Sequence, residues 1–410
     1  MEHVPYVIIG GGLAGNAAAE AIRRRDKTGR IIVICAEPHL PYDRVPLSKD
    51  YLLGKMERAQ VFLKNPQFYA RNTIEVLLQN PATTLDVAQR QVTLADGRQI
   101  GFDKLLLATG GRPRRLPISG ADLDGIYYLR NLEDTEAIRR GLQGVRRAVV
   151  IGGGFIGCEL AAGFAQLGLE TTVVELTPAL LSLVVDAETS AFVASCLRQQ
   201  GVVIRTDTAA SQFVGAQGRV RAITTSTGEE IAADLVAVGV GIALNTELAS
   251  AAGLTVNNGI VVNEYLEATE GIFAAGDIAR YYSLPLERHL RVEHYDVALQ
   301  HGRVAGVNMA SAREAYRAYT ELPYFFSFMG DLQINVMGDM SRREQCVRRG
   351  ELRLEPGFVQ FYFADGLLQA ALSINRNGTL LQAVRERILS RRPVMHAEAF
   401  GDETQDVATL

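Results

Sequence analysis

Two glycine clusters carry the first chemistry of the chain. Gly10-x-Gly12-x-x-Gly15 follows the apolar run Val7-Ile8-Ile9, and Gly152-x-Gly154-x-x-Gly157 follows Val149-Val150-Ile151. In such a loop the first glycine permits a tight turn, and the second lets backbone amides approach an anion. The third allows the next helix to pack closely. Amides at a helix start carry partial positive charge, so the anion that suits them is a pyrophosphate. An acid ends the following strand in both cases, Glu37 after Ile31–Ile34 and Glu175 after Thr172-Val173-Val174. A carboxylate there can accept hydroxyl hydrogen bonds from a ribose. A lone glycine triplet is weak evidence, but strand, helix and acid in register make each loop a dinucleotide site.

A third motif orders the two sites. In Thr269-x-x-x-Ile272-Phe273-Ala274-x-Gly276-Asp277 a strand ends in Gly-Asp. Asp277 can take a hydroxyl hydrogen bond from the ribityl chain of a flavin, and Gly276 allows close approach. The first loop is therefore expected to hold FAD and the second a nicotinamide dinucleotide. At the second loop an acid repels a 2′-phosphate, and Leu176-Thr-Pro-Ala-Leu180 offers no base to neutralise one. NADH is expected over NADPH. The competing reading leaves Glu175 an ordinary strand-end acid.

The elements that position these residues show as an internal repeat. Tyr6–Gly15 resembles Ala148–Gly157, and Gly97–Asp103 before Leu105-Leu-Leu-Ala-Thr-Gly110 resembles Gly228–Asp234 before Leu235-Val-Ala-Val-Gly239. Two βαβ units, each closed by a hairpin and a buried parallel strand, explain the pattern. Alanine-rich helices are expected over 14–25 and 156–167, and another helix over 293–311. Beyond residue 320 the pattern becomes antiparallel strands and one basic helix over 380–389, with a polar, mobile tail after Pro393. The expected fold is α/β, with two Rossmann-like dinucleotide-binding domains and a C-terminal α+β domain. The boundaries are 1–112 plus 243–319 for FAD, 113–242 for NAD, and 320–410.

Composition narrows the function. The chain has 410 residues, 48% of them hydrophobic, and a formal charge of −4. That gives no reason to expect nucleic-acid binding. No apolar run approaches a membrane span and none reads as a signal peptide, so a cytoplasmic protein is expected. Cys35, Cys158, Cys196 and Cys346 form no CxxC or CxxxxC pair, which excludes a local dithiol. No metal site is expected.

Taken together, the glycine loops, Leu107-Ala-Thr-Gly110 and the Gly-Asp strand resemble the FAD/NAD-linked reductases of the glutathione-reductase structural group. Pro41-Tyr-Asp-Arg-Val-Pro-Leu-Ser-Lys49 is similar to the segment found in ferredoxin and rubredoxin reductases, oxygenase-coupled reductases and apoptosis-inducing-factor relatives. The resemblance implies that Lys49 lies beside the reactive flavin nitrogen with Glu159 as its partner, both catalytic. A cation there favours anionic reduced flavin, and a carboxylate favours the ammonium form of the lysine. The resemblance further implies FAD contacts from Gly10, Gly12, Leu13, Ala14, Gly15, Glu37, Arg44, Pro46, Lys49, Ala82, Ala108, Thr109, Gly110, Arg130, Gly276, Asp277, Glu293, His294 and Tyr295. It implies nicotinamide-dinucleotide contacts from Gly152, Gly154, Phe155, Ile156, Glu159, Glu175 and Gly241. A structural salt bridge is the rival reading for Arg130.

Disulfide reductases of the group carry redox cysteines where this chain has none. Electrons are therefore expected to leave the flavin singly, for a ferredoxin-type iron–sulfur protein, in a monomer or homodimer. Members often show Phe-Trp-Ser-Asp-Gln near the flavin, where this chain has Phe325-Phe-Ser-Phe-Met-Gly-Asp331 and no tryptophan at all. That departure leaves two alternatives open. One is direct reduction of monodehydroascorbate, quinone or dioxygen; the other is a redox-sensing interaction protein like apoptosis-inducing factor. Ten arginines against five acids from Arg342 to Arg392, with Arg23, Arg24, Arg25 and Lys27, could steer an acidic partner or merely be solvated faces.

Overall fold

The computed structural model describes residues 2–376 and 378–410, and the chain divides into two compact units. The first comprises the residues up to Asp43, Arg58–Arg112 and Ala243–Tyr324; the second comprises Arg44–Glu57, Pro113–Ile242 and Phe325–Leu410.

The first unit is built on a sheet in the spatial order Glu267–Thr269, Ile272–Ala274, Gln99–Leu107, Glu2–Ile9, Ile31–Ile34 and Ile74–Leu77. Its four pairings from Ile272–Ala274 to Ile74–Leu77 are parallel, with Tyr6 opposite both Ile31 and Lys104. Ile31–Ile34 is four β-branched residues in a row, every one buried, as a central parallel strand with both faces covered requires. The helix Leu13–Arg25 packs on the helix Tyr295–Met309. Their contact is made of small residues. A Cβ on Gly302 would lie 2.2 Å from the Ala14 carbonyl oxygen, and one on Gly306 would lie 2.5 Å from that of Ala18. The second helix begins two residues later than the sequence pattern suggests, with His294 extended as its N-cap.

The second unit repeats this sheet in the order Val203–Arg205, Glu170–Val174, Arg147–Ile151, Leu235–Val238 and Ile126–Tyr128, all parallel. Spatial order matches between the units. The last strand precedes the others in the chain here, whereas in the first unit it follows them. An antiparallel sheet of Tyr324–Met329, Leu332–Gly338, Leu367–Ile374, Phe358–Ala364 and Gln345–Arg349 completes this half. The helix Ala187–Gln199 joins the two sheets into one core. Its Val193, Ala194 and Leu197 are buried with Leu332, Ile334, Phe358 and Leu372, and Phe192 meets Phe358 edge-on at 5.2 Å. Asp186 caps that helix and also accepts the Tyr362 hydroxyl at 2.7 Å.

Residues 44–57 fold with this second unit, although the chain reaches them from the first. Leu52 enters its core, the Tyr51 hydroxyl donates to Glu136 at 3.1 Å, and the Thr135 hydroxyl donates to the Leu47 carbonyl. The tail also differs from expectation. Phe400 is fully buried against Phe361 and Phe363, and buried Arg387 donates to the carbonyls of Arg392, Pro393 and Leu410. The polar composition of the tail hides these few fastenings.

His301 is fully buried in the first unit, its ring 4.5 Å from those of both Tyr281 and Tyr319. Neither ring nitrogen has a hydrogen-bond partner. Burial pushes its pKa down to about 3, so the folded state holds it neutral while the unfolded chain protonates near 6.5. Its contribution is thus present above pH 6.5 and lost as pH falls, on the order of 3 kcal/mol by pH 4. Calorimetry between pH 7 and 4 should show that loss, and His301→Phe should flatten it. An unchanged pH slope in the variant would contradict this.

Candidate dinucleotide sites and the lysine–glutamate pair

In the first unit the glycine loop closes against the strand that runs beside it. Gly10 has φ +124°, and a Cβ there would lie 2.1 Å from the Ala108 carbonyl oxygen. The loop therefore occupies the crevice where strand order reverses, at the carboxyl ends of the strands. A Cβ on Gly15 would sit 2.0 Å from the Gly10 oxygen, so the helix can start this close only with glycine there. Gly12 caps the helix Leu13–Arg25 with no side-chain hydrogen bond and no acid in the first turn, and open space surrounds its Cβ position. Leu13 and Ala14 thus begin a helix whose amide end is left for a ligand.

Other residues singled out in the sequence gather around this end. Gly276, with φ +76°, would place a Cβ 3.3 Å from that of Ala14, and Asp277 follows it in a short turn. Thr109 and Gly110 are tied to Asn245: the Thr109 hydroxyl donates to its carbonyl at 2.7 Å, the Asn245 amide side chain donates back to Thr109, and its backbone N–H donates to Gly110. Glu37 accepts the Tyr42 hydroxyl. The chain at Gln79 and Asn80 runs beside Glu37 and Cys35 before Ala82 opens its hairpin strand. Glu293 is paired with Arg291 at 2.6 Å. Desolvation pushes His294 down to about 4, opposed by the charge of Asp277, which leaves a neutral imidazole at the start of the helix that Tyr295 begins.

The second unit repeats the crevice. Gly152 has φ +106°, and a Cβ on it would lie 2.4 Å from the Gly239 oxygen; one on Gly157 would lie 1.9 Å from that of Gly152. Gly154 again caps its helix without a side chain, in open space. Of the first helical residues, Phe155 packs on Phe325 at 4.9 Å, while Ile156 is 45% exposed. Gly241, at φ +88°, follows the return strand, and its carbonyl accepts from the Arg114 N–H. Glu175 is fastened to the loop itself. One oxygen accepts the Gly153 N–H, and the other accepts the Thr177 N–H and hydroxyl, both at 2.7 Å. Sequence reasoning passed over Thr177.

Within the same unit lies the pair expected from Lys49 and Glu159. The ammonium is 2.6 Å from Glu159 Oε2, and the two side chains are 17% and 4% exposed. The Ser48 hydroxyl donates to the same oxygen at 2.5 Å, and the Ser327 hydroxyl donates to Oε1 at 2.6 Å. Neither serine was singled out in the sequence. Pro46 opens the turn that presents Lys49, its carbonyl accepting from the Lys49 N–H. Arg44 donates to the Arg130 carbonyl at 2.7 Å, and the Arg130 N–H is held by Asp134 at 2.8 Å.

All four cysteines are free, and only Cys346 is exposed. Burial pushes the Cys35 thiol up to about 12 and raises that of Cys158. Neither can supply a thiolate at neutral pH.

The family model of the pyridine nucleotide-disulphide oxidoreductases matches residues 4–302, and that of the reductase C-terminal domain matches residues 324–410. The chain belongs to the pyridine nucleotide-disulphide oxidoreductase family. It is 36% identical to putidaredoxin reductase of Pseudomonas putida, over 97% of this chain and 94% of that protein. It is 35% identical to the ferredoxin–NAD(+) reductase component of the anthranilate 1,2-dioxygenase system of Burkholderia cepacia, over the full length of both. Among solved structures, the covalent putidaredoxin reductase–putidaredoxin complex superposes with a TM-score of 0.92 at 35% identity, over 99% of this chain and 98% of that one. The family's disulphide chemistry has no thiol pair to use in this member. Among the described residues no helix is long and apolar enough to cross a membrane.

The glycines can be separated by experiment. Gly157→Ala should destabilise the second unit by about 1–3 kcal/mol, because its methyl group meets backbone. Gly154→Ala should fold with a loss of about 1 kcal/mol or less, yet weaken nucleotide binding at least about tenfold. Calorimetry with a binding titration checks both, and equal stabilities for the two variants would contradict the crevice geometry.

Proposed function

We propose that the chain is an NADH-dependent flavoprotein reductase that passes electrons to a ferredoxin-type iron–sulfur protein, in the manner of oxygenase-coupled systems. The observation that carries this is the pair of helix amide ends left open by Gly12 and Gly154, in a chain whose cysteines are free. The named activities of the relatives support it. So does the covalent putidaredoxin reductase–putidaredoxin complex, in which a chain of this fold is joined to putidaredoxin.

FAD is assigned to a discontinuous domain of residues 1–112 and 243–319, NADH to 113–242, and the remainder to a C-terminal domain. FAD, when bound, accepts a hydride from NADH and releases electrons one at a time. The chain's part is to bind, orient and bias. Gly10–Gly15 and Gly276-Asp277 hold the flavin dinucleotide, while Gly152–Gly157 hold NADH with Glu175 toward its ribose. The structure fixes Glu175 by three donors, so its charge stands ready against a 2′-phosphate. Lys49 supplies a cation for reduced flavin, and Glu159 holds it.

Charge on the surface supports an acidic acceptor, though not from the arginine-rich C-terminal run. There Arg342, Arg348, Arg353 and Arg376 each face a carboxylate, and Arg349 and Arg387 are buried. In the first unit Arg24, Lys27, Lys64 and Arg71 line one groove whose single acid, Glu20, is shared by Arg24 at 3.3 Å and Lys64 at 3.4 Å, so that the bases outnumber it. Arg23 of that groove is committed inward, donating to the carbonyls of Asp26, Gly29, Asn72 and Thr73. An NADH-consuming reductase of this kind fits the cytoplasm.

NADH oxidation should be fast only with a ferredoxin present, and should slow as salt rises. Fast turnover with no protein acceptor would refute the acceptor assignment. Glu175→Ala should erode the NADH-over-NADPH preference by about tenfold, and an unchanged ratio of kcat/KM values would refute its ribose role. Lys49→Ala should slow flavin reduction at least about tenfold while FAD stays bound. A change in thermal stability alone would make Lys49 structural.

A further inference from the structure

We propose that Ser327, on the edge strand of the C-terminal sheet, is a positioning residue that fixes the place of the Lys49 ammonium through Glu159. The inference rests on the reading of Lys49 and Glu159 given above, and adds to it a part for the C-terminal sheet.

In Tyr324–Met329, alternate residues turn the same way: Phe325 meets Phe155, Ser327 meets Glu159, and Met329 is fully buried in the core. Phe155 and Glu159 are four apart on their helix and so lie one above the other on one face. The two periodicities interlock, strand positions i and i+2 against helix positions i and i+4. A serine between two large apolar residues on an inward strand face is costly unless its hydroxyl is bonded. Here it is bonded to a carboxylate.

Next comes the carboxylate. Glu159 is buried and has two oxygens to satisfy. Oε2 takes the Lys49 ammonium at 2.6 Å and the Ser48 hydroxyl at 2.5 Å. Lys49 also donates to the Ser48 hydroxyl at 3.3 Å, which closes a small ring on that side. Oε1 takes the Ser327 hydroxyl at 2.6 Å. Because the two oxygens have different donors, the rotation of the carboxylate is set, and with it the direction of the Lys49 ammonium. Without the Ser327 hydroxyl, Oε1 loses a charge-assisted bond in a buried place. The carboxylate then turns to share the ammonium between both oxygens, and the ammonium moves. Ser327 carries no charge, so its effect on the flavin must pass through Glu159.

The test is a double-mutant cycle on the FAD-loaded enzyme, followed by the rate of flavin reduction by NADH and by the flavin midpoint potential. Ser327→Ala should slow reduction about tenfold and lower the potential, with NADH binding changed less than about twofold. In a Glu159→Gln background the same substitution should add less than about twofold. A wild-type rate and potential in Ser327→Ala would overturn the proposal, as would a full effect persisting beside Glu159→Gln. If Glu159→Gln itself reduces normally, the lysine–glutamate reading falls and this inference with it. If Glu159→Gln is slow and Ser327→Ala is normal, only this inference falls. Should Ser327→Ala not fold, Ser327→Cys, which fills the same place with a weak donor, decides in the same cycle: slowing that vanishes in the Glu159→Gln background supports the proposal, and slowing that persists there, or none, overturns it.

Discussion

A carboxylate placed inside a protein must find donors for both oxygens, and Glu159 finds them in segments far apart in the chain. Lys49 and Ser48 come from one turn and Ser327 from the last sheet, while Glu159 itself sits one turn into a glycine-loop helix. Stripping a buried ion pair of one partner costs about 3–5 kcal/mol, so this meeting point constrains all three segments together. It accounts for two features that otherwise look arbitrary. Residues 44–57 leave the first unit to fold with the second, and the edge strand of an antiparallel sheet lies along a helix of a parallel one. Around it the shared core of Val193, Leu197, Phe358 and Leu372 holds the segments in register.

The second constraint is steric and occurs twice. In both units the first glycine of the loop meets the carbonyl that ends the return strand, Ala108 in one and Gly239 in the other. In both, the third glycine meets the carbonyl of the first. These contacts pull the helix start into the crevice and leave its amides facing out, capped by Gly12 or Gly154 with no side chain in the way. A dinucleotide pyrophosphate suits such a place on electrostatic grounds alone. Chemistry differs between the two crevices through their surroundings: Gly276-Asp277 beside one, and Glu175 with Thr177 beside the other.

Much of this was legible in the sequence because it depends on residue type at short spacing. Glycine triplets, the strand-end acids, the Gly-Asp turn and the absent cysteine pairs each have a local signature. The alanines of the first helix likewise announced a close packing that Gly302 and Gly306 complete. What stayed hidden depends on distant pairing. Nothing near Ser48, Ser327 or Asn245 marks the partner each one finds, because a hydroxyl or amide is common in any loop or strand. The C-terminal arginines stayed open between two readings for a related reason. Charge counted along the chain ignores the carboxylates that fold against Arg342, Arg348, Arg353 and Arg376, and the carbonyls that take up Arg387. The polar composition of the tail reads as mobile, while the tail is held by buried Phe400 and Val407 and by Arg387, which donates to the carbonyls of Arg392, Pro393 and Leu410.

The central claim is that electrons pass from NADH to an external acceptor through the flavin alone, with no thiol pair between. An anaerobic titration with NADH, followed through the flavin absorbance, counts the electrons that one chain accepts. Two electrons per chain at full reduction is the result this account requires, since a flavin takes two and the four free cysteines none. A requirement for four, with free thiols rising alongside, would show a dithiol relay and contradict it.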